Sequence, residues 1–340
     1  MKSKYFIKRI LAAFLLAAVL VVTLFITGCG EKHKSKTAYE CFGDTYFTLR
    51  DYSGMSDRDF EEIFDKLSSR LAYYGRLFDI YLEYSGINNL RTVNLSAGAP
   101  VEVEEEIIEL LEYSKEMYSL TGGEVNIALG SVLSIWHNSR LERKAPPSQS
   151  ELMEAFKHCD INNIMIDRNS STVTLLDSEM TLDVGAVAKG FAVEKLSEYA
   201  IELGADSLVI DVGGNIRTVG EHPKDNGWVV YIQNPISNSA GNERLDGVLG
   251  AVVTSGDYQR YYIYEGKKYH HIIDKDTLYP AEYFSSVTVA CENSALADAL
   301  STALFCMSYE NGVALLQNVK EVSRAVWITA SGEILKYERL

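Results

Sequence analysis

The stretch Thr181-Leu182-Asp183-Val184-Gly185-Ala186-Val187-Ala188-Lys189-Gly190-Phe191 joins an apolar run that ends in an acid to an amphipathic segment at 191–203. This pattern predicts a strand, a tight turn and a helix. The start of a helix exposes backbone N–H groups that bind anions, and Lys189 can meet a phosphate as a point charge. The G-x-x-x-x-G-K-[ST] spacing of a P-loop is absent. By itself, the stretch fits an ordinary strand–helix junction with a surface lysine better than an anion site.

The N-terminal segment has the pattern of an export signal. Four cations precede an uncharged apolar run at 10–26, and small residues lead to Cys29; the cations are Lys2, Lys4, Lys8 and Arg9. The cysteine directly after Gly28 resembles a bacterial lipobox. We therefore predict a lipoprotein signal peptide over 1–28, lipidation of Cys29, a polar tether over 29–39 and a folded domain over 40–340. An uncleaved membrane anchor is the alternative, and either form lies on the extracytoplasmic face of the cell membrane.

The charge of the chain restricts its partners. The formal net charge is −15, and it becomes more negative when the basic leader is removed. Such a surface argues against binding to nucleic acid or to anionic lipid. If the ligand is a polyanion, a divalent metal is the usual source of local compensation. The other cysteines show neither metal spacing nor disulfide density, which predicts core residues and leaves a disulfide open; they are Cys41, Cys159, Cys291 and Cys306.

The hydrophobic periodicity predicts an α+β fold in which mixed and antiparallel sheets are flanked by helices. Helices are predicted over 57–78, 101–120, 125–136, 149–159, 191–203 and 294–307. A polar loop is predicted over 81–94. Strands are predicted over 41–50, 164–166, 172–176, 207–212, 216–219, 228–233, 247–254, 258–264, 268–273, 286–290, 326–329 and 333–337.

Two further clusters place small residues beside a polar group. Asp211-Val212-Gly213-Gly214-Asn215 ends an apolar strand. Within 294–303, Asp298 and Thr302 lie four residues apart and share one face of the predicted helix. A carboxylate and a hydroxyl on one face can hold a hard cation through oxygen. Close packing on a sheet, with both side chains hydrogen-bonded, is the alternative.

Other polar residues are candidates for chemistry. In a strand His270 and His271 point to opposite faces, so only one can face a site, either as a general base or as an ordinary core or surface histidine. The segment Thr254-Ser255-Gly256-Asp257-Tyr258 reads as a hydrogen-bonding turn, because no G-x-S-x-G elbow is present. Tyr81 lies in the polar loop, where its ring can stack on a flat heterocycle or simply remain exposed.

Taken in order, these clusters resemble the ApbE family of FAD:protein FMN transferases over residues 40–335. Each motif is weak, but the ordered set is specific. The motifs are Phe42-Gly43-Asp44-Thr45, Tyr81-x-x-x-Ser85, Thr121-Gly122-Gly123, Asp183-x-Gly-Ala-x-Ala-Lys189-Gly190, Asp211-Val-Gly-Gly-Asn215, Thr254-Ser255-Gly256-Asp257-Tyr258, His271-Ile-Ile-Asp274 and Ala297-Asp298-Ala-Leu-Ser-Thr302.

The resemblance implies an ApbE-like fold and a reaction. FAD is bound with Mg²⁺, its pyrophosphate is cleaved, FMN passes to a threonine hydroxyl of an exported or membrane redox protein, and AMP leaves. The Ala186 carbonyl and the side chains of Asp298 and Thr302 are implied metal ligands. His271 is the implied general base. The implied FAD-binding residues are Phe42, Tyr81, Glu124, Val125, Asn126, Asp183, Lys189, His271 and Ile272.

The sequence departs from the family pattern at three places. Val125-Asn126 replaces the usual Phe-Asp pair, Gly86-Ile87-Asn88-Asn89 has a different asparagine spacing, and Lys275-Asp276-Thr277-Leu278-Tyr279 replaces Pro-x-Thr-Gly. Two alternative functions remain open: an Mg²⁺-dependent FAD pyrophosphatase that yields FMN and AMP, and a flavin-binding lipoprotein without catalysis.

Overall fold

The computed structural model describes residues 33–43, 45–224, 227–236 and 243–339. The predicted signal peptide over 1–28 and the predicted lipidation site Cys29 lie outside the described residues. Within the described ranges, every helix is too short or too polar to cross a membrane.

The chain alternates helices and strands without a regular β-α repeat. The helices are α1 (Asp57–Leu77), α2 (Leu90–Leu95), α3 (Glu105–Leu120), α4 (Gly130–Glu142), α5 (Gln149–Phe156), α6 (Ala188–Glu202), α7 (Ser294–Phe305) and α8 (Tyr309–Leu316), with 3₁₀ turns at Ile127–Leu129 and Ile161–Asn163. The strands are β1 (Lys34–Phe42), β2 (Thr45–Asp51), β3 (Val101–Glu102), β4 (Ile164–Asp167), β5 (Thr172–Leu175), β6 (Ser207–Val212), β7 (Asn215–Gly220), β8 (Trp228–Ile232), β9 (Glu243–Val248), β10 (Ala251–Gly256), β11 (Tyr261–Tyr264), β12 (Lys267–His270), β13 (Ser286–Cys291), β14 (Val322–Ile328) and β15 (Ile334–Glu338).

An eight-stranded antiparallel sheet forms the centre of the fold, in the order β1-β2-β6-β7-β10-β13-β14-β15. Successive residues of its strands pack into different clusters. Leu208 and Ile210 contact the core of α1, α3 and α6, while Val209 packs beneath the β8–β9 hairpin. Because both faces are covered, β6 and β13 are buried along their whole length. The predicted α+β class is confirmed.

A second layer forms around helix α4. Trp136 on α4 packs with Tyr262 and Tyr269 of the β11–β12 hairpin, and its indole N–H donates to the Leu278 carbonyl over 2.9 Å. This cluster fixes α4 and the β11–β12 hairpin relative to each other. Both elements carry side chains of the candidate site.

Several predicted boundaries at the start of the chain are wrong. The single strand predicted over 41–50 is a hairpin of β1 and β2, because Gly43 takes a positive φ of 58° and lets the chain reverse. Strand β1 starts at Lys34, so the predicted tether over 29–39 overlaps the fold. In the predicted helix over 101–120, Val101 pairs with Val173 in a sheet, and the helix begins only at Glu105. The predicted loop over 81–94 contains α2, which Asn89 caps.

Later boundaries also differ from the predictions. The predicted strand over 247–254 is interrupted at Gly250, whose φ of +94° separates β9 from β10. Strand β10 continues to Gly256, so Ser255 lies in a strand and not in a turn. The strand predicted over 258–264 begins only at Tyr261, whereas the strand predicted over 326–329 begins earlier, at Val322. The helix predicted over 125–136 is displaced towards the C-terminus as α4.

Candidate active site

Residues 181–184 form no strand with any part of the chain that the structure describes, which corrects the predicted strand. Side chains hold this segment instead. The Asn94 amide donates to the Leu182 carbonyl over 3.0 Å and accepts from the Leu182 N–H over 2.7 Å. The Asp183 N–H donates to the Ile127 carbonyl over 2.8 Å. A Cβ on Gly130 would lie 2.2 Å from the Thr181 carbonyl oxygen, so only glycine lets α4 approach this segment.

The predicted turn and helix follow, and the helix begins three residues earlier than expected, at Ala188. The Val184 carbonyl accepts from the N–H groups of Val187 and Ala188. The Gly190 N–H then donates to Asp298 Oδ2 on helix α7, over 2.7 Å. It therefore does not bond the Ala186 carbonyl four residues earlier, and that carbonyl has no hydrogen-bond partner among the described residues.

Asp298 and Thr302 lie on α7, as predicted. Asp298 is 5% exposed. Burial raises the pKa of its carboxyl group, while Lys189 and the Gly190 N–H oppose the shift. Its second oxygen, Oδ1, has no hydrogen-bond partner in the described part of the chain. Thr302 Oγ1 lies 3.2 Å from Ser255 Oγ, and Ser255 Oγ lies 2.8 Å from Ser301 Oγ. Only half of the Asp298 carboxylate is thus satisfied by hydrogen bonds.

These three groups match the chemistry of a hard cation site. They offer one carboxylate, one hydroxyl and one backbone carbonyl, all through oxygen. The described ranges contain no cluster of three or more His, Cys, Asp or Glu side chains that could hold a metal. A cation at this place would therefore have few protein ligands and would take other oxygens from phosphate and water, which is how Mg²⁺ binds beside phosphates.

Glu194 on α6 positions the start of α7, and the sequence did not single it out. Its carboxylate accepts two hydrogen bonds from Arg217, both of 3.0 Å, and one from the Ser294 N–H over 2.6 Å. The Ser294 hydroxyl donates to Asn215 over 2.7 Å. Asn215 ends the predicted cluster at 211–215, so this cluster helps to hold α7 against the sheet.

Lys189 lies in the first turn of α6 and forms no ion pair with a carboxylate in the described part of the chain. Its charge acts on two buried carboxyl groups, because it opposes the burial that raises the pKa of Asp298 and of Asp211. Asp211 itself accepts from the Gly214 N–H over 3.0 Å. The ammonium of Lys189 is therefore available to an anionic ligand beside Asp298.

The loop that carries Tyr81 is held by its own polar side chains. Asp79 Oδ1 accepts from the N–H groups of Tyr81 and Leu82, and the buried Asn89 amide donates to the Arg76 and Leu82 carbonyls. The Tyr81 ring stacks on His137 of helix α4, with 4.9 Å between ring centroids. Burial and the charge of Asp183 raise the pKa of Tyr81 to about 12.

The two neighbouring histidines have different surroundings. Strand β12 ends at His270, which is buried and whose Nε2–H donates to the Ala281 carbonyl over 2.8 Å. His271 lies just beyond the strand. Its Nδ1 is 3.2 Å from the Arg260 carbonyl oxygen, which can only accept, so Nδ1 carries the proton and Nε2 is left as an acceptor. Burial, followed by the charges of Arg260, His270 and Arg140, lowers the pKa of His271 to about 3.

Asp183, Tyr81 and His271 come together around two arginines that the sequence did not identify. Arg140 and Arg260 lower the pKa of His271 and oppose the rise that burial causes in Asp183. The Asp183 carboxylate also accepts from the Gly185 N–H over 2.8 Å. The protein as a whole is acidic, but this site combines local positive charge with a neutral histidine.

Comparison with known proteins decides the family. The sequence model of the ApbE family matches residues 44–327. This chain belongs to the ApbE family. The FAD:protein FMN transferase of Treponema pallidum is 36% identical over 244 residues, which are 67% of each chain. The FAD:protein FMN transferase of Klebsiella pneumoniae is 26% identical over 276 residues, 78% of this chain and 84% of the relative.

Solved structures agree with the fold. The ApbE protein of Thermotoga maritima superposes with a TM-score of 0.79 at 26% identity, covering 91% of this chain and 100% of that chain. The flavinyl transferase ApbE of Pseudomonas stutzeri superposes with a TM-score of 0.74 at 22% identity, covering 90% and 94%. The predicted family, the predicted ApbE-like fold and the prediction that the chain is an enzyme are confirmed.

Four other predicted FAD-binding residues of this ApbE protein differ in what their side chains contact. Phe42 lies edge-on to Phe78, with 6.5 Å between ring centroids. Val125 and Ile272 are buried in the core. Asn126 caps a 3₁₀ turn and donates to the Cys159 carbonyl over 3.0 Å. The side chains of Val125, Asn126 and Ile272 are therefore already in use within the protein. If these residues contact FAD as predicted, their backbone groups would have to make the contact.

Glu124 keeps an unused polar atom. Its Oε1 lies 3.3 Å from the Lys275 ammonium, while its buried Oε2 has no hydrogen-bond partner among the described residues. Burial raises the pKa of Glu124, and Lys275 opposes this shift. The cysteines Cys159, Cys291 and Cys306 are buried free thiols, and the side chain of Cys41 lies outside the described part.

Proposed function

We propose that this ApbE protein transfers FMN from FAD to the threonine hydroxyl of a target protein, depends on Mg²⁺ and releases AMP. The observation that carries the proposal is the hydrogen bond from Gly190 to Asp298. It brings a half-satisfied buried carboxylate to the start of α6, and among the described residues it leaves the Ala186 carbonyl without a hydrogen-bond partner. The names of the relatives, FAD:protein FMN transferase, support the same reaction.

The Ala186 carbonyl, the Asp298 carboxylate and the Thr302 hydroxyl are the groups that would hold Mg²⁺. When bound, Mg²⁺ would neutralise the negative charge that builds up on the phosphoryl group during its transfer. Lys189 adds a positive charge on the same side, in the first turn of α6. FAD is a polyanion and the protein is acidic, so this local compensation is needed at short range, where salt screens least.

His271 is the proposed general base. Its Nε2 accepts the proton of the threonine hydroxyl as the threonine oxygen forms a bond to the phosphorus of the FMN phosphoryl group. The bond between that phosphorus and the bridging oxygen breaks, and AMP leaves with this oxygen and the electron pair. Burial, with the charges of Arg260 and Arg140 added to it, holds the pKa of free His271 low. The bound diphosphate offsets their charge and raises the pKa towards a useful range.

We also propose that the protein is exported and lipid-anchored through Cys29 at the extracytoplasmic face of the cell membrane, where its acceptor is an exported or membrane redox protein. The basic start, the apolar run and the small residues before Cys29 support this placement. Replacement Cys29→Ser is expected to release the protein from the membrane fraction. Retention of the variant in that fraction would contradict the lipid anchor.

The reaction is tested by incubating the protein with FAD, Mg²⁺ and candidate exported redox proteins. Mass analysis is expected to find an added FMN group on a threonine of the acceptor, with release of one AMP per transfer. An acceptor with that threonine changed to valine is the control. Free FMN and AMP without an adduct would favour the pyrophosphatase, and FAD binding without AMP would favour the non-catalytic flavin-binding lipoprotein.

A further inference from the structure

The Tyr81 ring is covered on one face by His137, and the residue nevertheless remains exposed. His137 stacks on it with an interplanar angle of 24°, and the tyrosine hydroxyl lies 3.4 Å from His137 Nδ1. Tyr81 is 53% exposed, and His137 is its one aromatic neighbour among the described residues. An exposed tyrosine on a loop normally samples several rotamers. Here a second ring supports it, while the backbone N–H of Tyr81 is tied to Asp79 over 2.6 Å.

His137 is itself held in place by Arg140, three residues later on the same face of α4. Arg140 Nη2 lies 3.1 Å from His137 Nδ1. A guanidinium only donates, so Nδ1 accepts and the imidazole is neutral with its proton on Nε2. Arg140 is partly buried and has no ion pair with a carboxylate in the described chain. The Arg140 guanidinium therefore holds the imidazole of His137 and adds a positive charge to the site.

Helix α4, which carries His137 and Arg140, is held in place by contacts at several positions. Trp136 is buried next to His137 in the sequence, and its indole N–H is bonded to the Leu278 carbonyl. Gly130 and Ser131, at the start of α4, contact the segment that carries Asp183. The support for Tyr81 is thus connected to the same frame as Asp183.

We propose that His137 and Arg140 are positioning residues for flavin transfer: Arg140 fixes the His137 ring, and this ring supports one face of Tyr81 so that the other face receives the isoalloxazine ring of FAD. This inference rests on the proposed function and extends it to residues that no sequence motif contains. Fixing an aromatic side chain before the ligand arrives removes an ordering cost on binding. The flavin is remote from the reacting phosphorus, so better placement also serves the rate.

The test uses two variants that separate the ring from the hydrogen bond. His137→Asn keeps an acceptor for Arg140 but removes the ring, and His137→Phe keeps the ring but removes the acceptor. Asn138→Ala, at an exposed position of the same helix, is the control. Each is made in the wild-type and the Tyr81→Ala background, and thermal unfolding verifies folding. FAD affinity and the quenching of flavin fluorescence are measured with Mg²⁺ but without an acceptor protein, so that no FMN can be transferred, and AMP release is measured with both.

We expect His137→Asn to weaken FAD binding about threefold to tenfold, the size of one lost immobilised side chain, and to reduce flavin quenching. His137→Phe should retain most of the quenching, and Asn138→Ala all of it. In the Tyr81→Ala background, His137→Asn should have no further effect, because the two residues act through one contact.

Two results would overturn the proposal. One is an unchanged affinity and unchanged quenching in His137→Asn. The other is an equal loss in both backgrounds, which would mean that His137 acts independently of Tyr81. If the wild-type protein fails to bind FAD, the proposed function falls as well. FAD binding by the wild type with inert His137 variants would leave the proposed function intact and remove only the positioning role.

Discussion

The Gly190 N–H reaches Asp298 Oδ2 across the contact between α6 and α7, over 2.7 Å, and position 190 has room for a hydrogen atom only. A Cβ there would lie 2.3 Å from the Asp298 Cβ and 2.5 Å from the Ser294 carbonyl oxygen. The glycine is therefore required by a close approach between two helices, since its φ is ordinary for a helix.

Replacement Gly190→Ala should separate α6 from α7. We expect a loss of about 1–3 kcal/mol in the free energy of unfolding, as for overpacking of a tight core, together with loss of Mg²⁺-dependent AMP release. Urea unfolding and an AMP assay measure the two effects. Gly312→Ala on α8 is the control, because its new Cβ meets two side chains, Leu304 at 3.0 Å and the Trp327 ring at 3.3 Å, and no backbone atom as near as these. Equal behaviour of the two variants would contradict the assignment.

Replacement Asp298→Asn should separate the charge of this residue from its shape. The amide oxygen can still accept from Gly190, and a buried unpaired charge is removed, so we expect the variant without Mg²⁺ to be at least as stable as the wild type. Saturating Mg²⁺ should stabilise the wild type, by about 2.7 kcal/mol at a hundredfold excess over Kd, and should leave the variant unchanged in thermal unfolding.

The exposed carboxylate of Asp246 offers a matched control. Asp246→Asn should retain the Mg²⁺-dependent rise in melting temperature. A similar rise in Asp298→Asn would show that Mg²⁺ binds elsewhere in the protein.

The pH dependence of stability should differ in sign between two histidines. The folded-state pKa of His271 is lowered to about 3, below the value near 6.5 in the unfolded chain. The unfolded state alone takes up this proton, so the wild type loses stability as pH falls through about 6.5. His271→Gln should therefore be more stable, relative to the wild type, at pH 5.5 than at pH 8.

His158 provides the opposite case. Its hydrogen bond to Asp177, of 2.8 Å, raises its folded-state pKa. The stability it contributes is present below about pH 6.5 and is lost as pH rises through the folded-state pKa. His158→Gln should thus be less stable, relative to the wild type, at pH 5.5 than at pH 8, as measured by urea unfolding. The same sign for both variants would contradict the assigned environments.

Replacement Glu194→Gln should loosen the start of α7. The Glu194–Arg217 pair is nearly buried, with side chains 12% and 16% exposed, so removal of one charge should cost about 3 kcal/mol of unfolding free energy. We also expect weaker Mg²⁺ binding, because Ser294 and hence α7 lose an anchor. Glu62→Gln removes an exposed pair with Lys66 on α1 and should change neither quantity. A Glu194→Gln variant as stable as the wild type would contradict this role.

Elements with a strong local pattern could be predicted from the sequence. The apolar spacing of α1 predicted its limits to within one residue, and the strands predicted over 164–166 and 172–176 are present and pair as β4 and β5. The split of β1 from β2 and the break at Gly250 were missed, because a single glycine in a polar-apolar pattern carries little signal about chain reversal. The order of the strands in the large sheet has no local signature.

In the candidate site, too, residues with a local pattern could be predicted and residues joined by long-range contacts could not. Asp298 and Thr302 share a helix face because four residues make about one turn, so their pairing followed from spacing. His137, Arg140, Arg260 and Glu194 were missed, since a lone cation or acid on a helix or beside a strand usually faces solvent. The role of the first three appears only where α4 and the segment before β11 approach Tyr81, Asp183 and His271, and that of Glu194 only where α6 meets β7 and the start of α7.

The sequence by itself determined the family, the run of motifs and the helical face that carries Asp298, because short-range periodicity is set by backbone geometry. Only the tertiary structure decided that the Gly190 amide, 108 residues away along the chain, meets this carboxylate, and that Tyr81 rests on His137. Such contacts depend on how helices pack across a shared sheet. Shape and volume summed over many residues govern that packing, and no single stretch of sequence contains that information.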